Sequence, residues 1–165
     1  RQELMSPFMG GGDMIDVVTK DTVTYNKPPM KFEAGTPGIV QTIGMGVAID
    51  YLMGIGMDNI AAYEATLASY ATERLQGLNW LNVQGTSAGK GAIYSFTMEG
   101  AHAHDLSTVL DKKGVAVRAG HHCAQPLMAQ FGVSATCRAS FAMYNTTEEV
   151  DRLIEALELC REFFA

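Results

Sequence analysis

From Asp58 to Leu78 the apolar side chains Ile60, Tyr63, Leu67, Ala71, Leu75 and Leu78 recur at steps of three and four residues. That spacing has the period of an α-helix and predicts a long helix with one buried face, with Asp58 as its N-cap. The residues beyond Leu78 cannot continue it. Leu81 to Gln84 and Ala92 to Met98 are short strand-like runs, and Gly85-Thr86-Ser87-Ala88-Gly89 between them reads as a hairpin-type connection. A chain that changes from helical to strand period over so few residues must pack helices against a sheet.

The remaining segments extend this pattern. A third helix opens near His104-Asp105, presents Leu106, Val109 and Leu110 on one side, and ends at Lys112-Lys113-Gly114. Val115 to Arg118 and Cys137 to Tyr144 read as strands, separated by Ala119 to Ser134, a Gly-, His- and Pro-containing stretch too long for a tight turn. The last helix starts at a capping box, Thr146-x-x-Glu149, and buries Val150, Leu153, Ile154, Leu157, Cys160 and Phe164. The fold class is α/β: a short sheet with helices on one face, occupying residues 53–165.

Residues 1–52 have a different texture. Ser6-Pro7, Gly10-Gly11-Gly12, Lys27-Pro28-Pro29 and Gly35-Thr36-Pro37 punctuate the first part, which predicts loops and short strands with little core. A helix is expected to begin near Pro37, with Ile43, Val47, Leu52 and Met53 among its apolar positions. Gly38 to Met57 is the most membrane-like stretch, but Gln41, Thr42 and Asp50 interrupt it, and a buried helix explains it better than a membrane span. The chain opens Arg1-Gln2-Glu3-Leu4, without Met, basic segment or apolar segment. We expect no signal peptide and a start inside a longer protein.

Composition narrows the class. With 165 residues, 47% apolar and 18% charged, the chain can bury roughly two-thirds of its unfolded surface. Disorder, collagen and coiled coil are poor descriptions of it. The net charge of −6 argues against a nucleic-acid partner. Three cysteines form no disulfide framework and suit reduced thiols in the cytoplasm.

Position separates the three thiols. Cys160 falls on the apolar stripe of the last helix, and Cys137 must face away from its strand neighbour Arg138. Cys123 lies in a loop, Gly120-His121-His122-Cys123-Ala124-Gln125-Pro126, where imidazoles and the nearby Arg118 can stabilise a thiolate. His102, His104, His121, His122 and Cys123 also offer a competing set of zinc ligands, although their spacing is that of neither a zinc finger nor a helical His pair. Arg138, inside an apolar strand, needs an acidic partner or a carboxylate ligand. Gly35-Thr36-Pro37 ahead of a helix is either a phosphate-binding start or a common structural cap, with Thr36 at the N-cap.

Four segments together carry a resemblance: Pro7-Phe8-Met9-Gly10-Gly11-Gly12-Asp13-Met14-Ile15, Phe32-Glu33-Ala34-Gly35-Thr36-Pro37, Val117-Arg118-Ala119-Gly120-His121-His122-Cys123-Ala124, and Cys137-Arg138-Ala139-Ser140-Phe141-Ala142-Met143-Tyr144-Asn145. The chain resembles the C-terminal part of Suf-type (group II) cysteine desulfurases, in the class V aminotransferase family. The resemblance implies a pyridoxal-phosphate-dependent, fold-type I homodimer that converts L-cysteine to L-alanine and leaves a persulfide for iron–sulfur cluster assembly, with a small Suf-type carrier as sulfur acceptor. It implies Cys123 as the persulfide-forming nucleophile and Arg138 as the substrate-carboxylate ligand. Arg118 and His122 become further substrate-site candidates, while Thr36, with Gly35, would contact the cofactor phosphate of the partner subunit. On this resemblance residues 1–52 are the tail of the large cofactor domain.

The family's Schiff-base lysine belongs to a Ser-x-His-Lys type motif upstream of Pro7. None of Lys20, Lys27, Lys31, Lys90, Lys112 and Lys113 has that context, so the isolated chain is expected to be an inactive fragment. Two alternatives stay open: a selenocysteine lyase, and a non-enzymatic His/Cys metal- or thiol-binding module.

Overall fold

The computed structural model describes residues 1–164. The chain divides into two compact units, Arg1–Ile55 and a second from Gly56 onward. In the first, β1 (Ile15–Val18) and β2 (Val23–Tyr25) form an antiparallel hairpin. The Thr19 and Thr22 hydroxyls lie 2.7 Å apart across its tip, and the Thr19 N–H donates to Thr22 O at 2.8 Å. The helix α1 (Ile39–Ile55) comes next.

None of the residues of α1 is buried, although its sequence predicts a buried helix. A two-stranded hairpin and short 3-10 turns give this unit no second apolar layer to lay over it. No single helix among the described residues is long and apolar enough to cross a membrane. The start of α1 also differs from expectation. Its first intrahelical bond runs from Thr42 N–H to Gly38 O at 2.9 Å, which makes Gly38 the cap and puts Thr36 two residues ahead of it.

The second unit holds α2 (Met57–Gln76), β3 (Leu81–Gln84), β4 (Ile93–Met98), α3 (Ala103–Lys112), β5 (Arg118–Gly120), α4 (Gln125–Phe131), β6 (Thr136–Ser140) and α5 (Thr147–Phe164). The four strands form one antiparallel sheet in the order β3-β4-β6-β5. Tyr94, Phe96, Cys137 and Ala139 leave one face of the sheet and meet Ala71 and Leu75 of α2, Leu106 and Leu110 of α3, and Val150, Leu153 and Leu157 of α5 in a single core. A second anchor is polar. The Tyr94 hydroxyl donates to Ala68 O and lies 2.9 Å from Thr72 Oγ1, fixing β4 against α2.

Several boundaries depart from the sequence expectation, each for a local reason. Gly56, at φ +94°, caps α2, and Asp58 sits in the first turn, where its charge still meets the helix dipole. The strand expected over Val115 to Arg118 begins only at Arg118. Its first residues close α3 instead: Gly114 at φ +78° donates to Asp111 O, and Val115 donates to Leu110 O at 3.0 Å, a Schellman pair. The strand expected to run to Tyr144 stops at Ser140, since Ala142 N–H donates to Asn145 Oδ1 at 2.8 Å and turns the chain. The capping box forms as the sequence predicts, with Thr146 N–H donating to Glu149 Oε2 at 3.0 Å and Glu149 N–H to Thr146 Oγ1 at 3.4 Å.

The stretch expected to be loop contains α4, two turns with Pro126 at its start and left-handed Gly132 at its end. It corrects the picture of helices on one face only. Leu127, Met128 and Phe131 share a cavity with Gln84, Ile93, Ser95 and Arg138, so α4 covers the face of the sheet opposite the core.

Candidate active site

Strand register builds the site. Gln84 pairs with Ser95, Ser95 with Arg138, and Arg138 with Arg118. Directly opposed residues project to the same face, so these four side chains form one polar row across the sheet, while Val83, Phe96, Cys137 and Ala119 form the apolar row behind it. The sequence shows Arg138 as a misfit within an apolar strand; the pairing shows that its neighbour is a second arginine. Like charges directly opposite destabilise a sheet unless an anion lies between them. Arg138 Nε is also buried without a hydrogen-bond partner. Both observations favour a carboxylate-sized ligand.

The loop after β5 is a tight turn closed by Ala124 N–H donating to His121 O at 2.9 Å. Its two central residues have positive φ, His122 at +54° and Cys123 at +58°. Glycine, asparagine or aspartate normally occupies such positions, because an L-residue pays about 1–2 kcal/mol to enter the left-handed region. The turn therefore persists only where its surroundings hold it. One hold is visible: His122 Nε2 lies 3.1 Å from Thr136 O and 3.0 Å from Thr136 Oγ1, and Gly120 pairs with Thr136 just before the turn. Thr136 is fully buried, and sequence reasoning gave it no role. The only sequence signal for it is its place next to Cys137-Arg138, where its side chain must share the face of Arg138's strand partners.

Cys123 is exposed at the tip of this turn. It shares a cleft of about 480 Å³ with Arg118, His121, His122 and Pro126. His122 also lines the 320 Å³ cavity that holds Arg138, so its ring is common to both spaces. Burial pushes the His122 pKa below the ordinary imidazole value; its bond to Thr136 acts against this, and the charges of Arg138, Arg118 and His121 add to the lowering. The other two thiols are inert by environment. Burial, with Cys160 nearby, pushes the Cys137 thiol up to about 12, and burial raises Cys160 as well. Cys137 Sγ donates to Ala103 O at 3.0 Å, as a buried structural thiol would.

Thr36 and Gly35 lie in the first unit. Gly35 has φ +89°, and its N–H donates to Gly12 O at 2.8 Å, which joins two of the sequence motifs. A Cβ on Gly11 would come within 3.0 Å of Ala34 Cβ, so the glycine triplet permits a close backbone crossing. Thr36 is exposed, and the amides of residues 39–41 precede the first helical bond of α1. That donor set fits a phosphate. Among the described residues, no three His, Cys, Asp or Glu side chains converge as a metal site.

Residues 1–153 match the aminotransferase class-V family. The chain belongs to that family. It is 53% identical over 154 residues to a probable cysteine desulfurase of Xylella fastidiosa (strain Temecula1), covering 93% of this chain and 37% of that protein. A probable cysteine desulfurase of Streptomyces coelicolor is 49% identical over 169 residues, covering 99% of this chain and 40% of its own length. Among solved structures, the cysteine desulfurase CsdA (S-sulfonic acid) from Escherichia coli superimposes with a TM-score of 0.89 at 36% identity, over 99% of this chain and 41% of that one. The α/β fold expected from the sequence is the fold of these desulfurases. This chain spans 37 to 41% of the length of these relatives.

Proposed function

We propose that the chain carries the thiol-bearing part of a pyridoxal-phosphate-dependent cysteine desulfurase, in which L-cysteine yields L-alanine and a persulfide on Cys123. The observation that carries this reading is the placement of one exposed thiol on a strained turn, beside Arg118 and His122 and one strand from Arg138, while both other thiols are buried. The Xylella and Streptomyces relatives, both probable cysteine desulfurases, support it.

Each residue has a part in the reaction. Arg138, with Arg118 beside it, takes the substrate carboxylate, whose negative charge offsets the repulsion between the two guanidinium groups. The Cys123 thiolate attacks the substrate sulfur: an S–S bond forms as the substrate C–S bond breaks, the electron pair leaves with the carbon fragment, and that fragment takes up a proton to become alanine. Thr36, Gly35 and the first amides of α1 would hold the cofactor's phosphate in the partner subunit of a homodimer. Pyridoxal phosphate, when bound, supplies the electron sink that makes the C–S bond labile. The lysine that anchors such a cofactor has no counterpart among the six lysines of this chain, and on this reading it belongs to a large domain of which residues 1–52 are the tail, with residues 53–165 the small domain.

An exposed persulfide at the tip of a turn is open to a second protein. We infer a Suf-type carrier as sulfur acceptor, delivery to iron–sulfur cluster assembly, and a cytoplasmic location. The test is steady-state alanine release by the full-length protein with pyridoxal phosphate, L-cysteine and a thiol reductant. Cys123→Ala should abolish it. Unchanged turnover in that variant contradicts the assignment, and retention of activity on L-selenocysteine alone identifies a selenocysteine lyase.

A further inference from the structure

Two buried polar atoms among the described residues have no hydrogen-bond partner, His122 Nδ1 and Arg138 Nε, and both residues line the cavity between α4 and the sheet. The other nitrogen of His122 fixes what these two atoms can do. Thr136 O can only accept a hydrogen bond, and it lies 3.1 Å from Nε2. Nε2 therefore carries the proton, shared with Thr136 Oγ1 at 3.0 Å, and in the neutral ring Nδ1 is left with a bare lone pair. An acceptor and a cationic donor then stand unpartnered in the same cavity.

We propose that the backbone carbonyl of Thr136 locks His122 in the Nε2–H form, so that Nδ1 accepts a hydrogen bond from the thiol or ammonium group of a small amino acid whose carboxylate meets Arg138. The ligand class rests on the desulfurase reading; the lock does not. The charged groups facing the ring are Arg138 of β6, Arg118 of β5, and His121 of its own turn, and all disfavour a second proton on it. From the other elements, α4 offers Leu127, Met128 and Phe131, β4 offers Ser95 and β3 offers Gln84, none of which titrates near neutrality. None of these groups carries a negative charge that would compensate an imidazolium, and with the Cys123 thiol protonated the neutral ring, with Nδ1 as an acceptor, is the favoured form.

The test is the ring ¹⁵N spectrum of histidine-labelled full chain. His122 should show a protonated Nε2 and an unprotonated Nδ1 in the wild type and in Thr136→Ser. Thr136→Val, which keeps the shape and the carbonyl and loses only the hydroxyl, should keep the Nε2–H tautomer, and its protonation midpoint should not rise, since the bond to Thr136 favours the charged ring. In cofactor-free protein, adding L-cysteine should shift the Nδ1 resonance in the wild type and not in Arg138→Met, which lacks the partner for the ligand's carboxylate. A proton on Nδ1 of the wild type overturns the proposal, as does a mixture of tautomers in Thr136→Val, which would move the lock from the carbonyl to the hydroxyl. An Nδ1 signal unmoved by L-cysteine removes the acceptor role. Should Thr136→Val not fold, the wild-type tautomer and the Thr136→Ser spectrum still decide the lock. Failure of the desulfurase reading shows separately, as no alanine release from cofactor-loaded protein, and leaves the tautomer where it was.

Discussion

Cys123→Gly should remove the nucleophile and at the same time make the protein harder to melt. At φ +58° the Cβ of Cys123 costs about 1–2 kcal/mol, a penalty glycine does not incur. Glycine's extra freedom in the unfolded chain costs about 0.5–1 kcal/mol, which leaves a net gain of about 0.5–1 kcal/mol. The thiol itself is exposed at the turn, so its loss removes no packed contact. For a chain of this length, a gain of that size raises Tm by about 1–4 °C. Cys123→Ala is the control, since it removes the same thiol, keeps the Cβ, and should melt within about 0.5 kcal/mol of wild type. Thermal unfolding of the three proteins in one buffer, followed by circular dichroism, reads the difference directly. If the glycine variant melts with the alanine variant or below it, the turn is not strained and the argument for a held, pre-formed thiol loop fails.

Three further outcomes rest on the same geometry. Arg138→Met should raise KM for L-cysteine by about ten- to a hundredfold, the loss of a charge-assisted hydrogen bond, with little effect on thermal stability because the opposed Arg118 is relieved of a like charge; steady-state kinetics and melting read the two halves. Under native conditions iodoacetamide should label Cys123 alone, with Cys137 and Cys160 reacting only after unfolding, as peptide mass spectrometry would show; rapid native labelling of Cys137 would contradict its burial. Stability should fall on acidification in two windows. His122 has a folded pKa below its unfolded value, so its contribution is complete above the ordinary histidine range near 6.5 and is lost as pH falls through the depressed value. Glu149, held down by Asn145 and Thr146, behaves the same way below about 4.5, so Glu149→Gln should flatten the lower window of a urea-midpoint profile while leaving the upper one.

Long amphipathic elements were legible from the sequence because burial imposes a period on them. Leu67, Ala71 and Leu75 of α2 and Val150 through Cys160 of α5 lie in the core as their spacing requires. The short elements were not legible. The helix α4 is only seven residues long, too short for a period, and its signals were Pro126 and Gly132 alone. Nor could the sequence show that Val115 serves the end of α3 rather than the start of a strand, since that choice is made by a single amide. Cys123 could be singled out by its loop context against the apolar stripe around Cys160, but the arginine pair and the hold of Thr136 on His122 depend on register between strands far apart in the chain. Local pattern carries no register.

The most direct measurement of the central claim is the mass of the Cys123 peptide after the full-length protein, loaded with pyridoxal phosphate, has met one equivalent of L-cysteine without reductant. The account predicts one added sulfur on that peptide, matched by one alanine released, with the Cys137 and Cys160 peptides unchanged. Alanine formed with no sulfur on Cys123, or sulfur on either buried thiol instead, would contradict it.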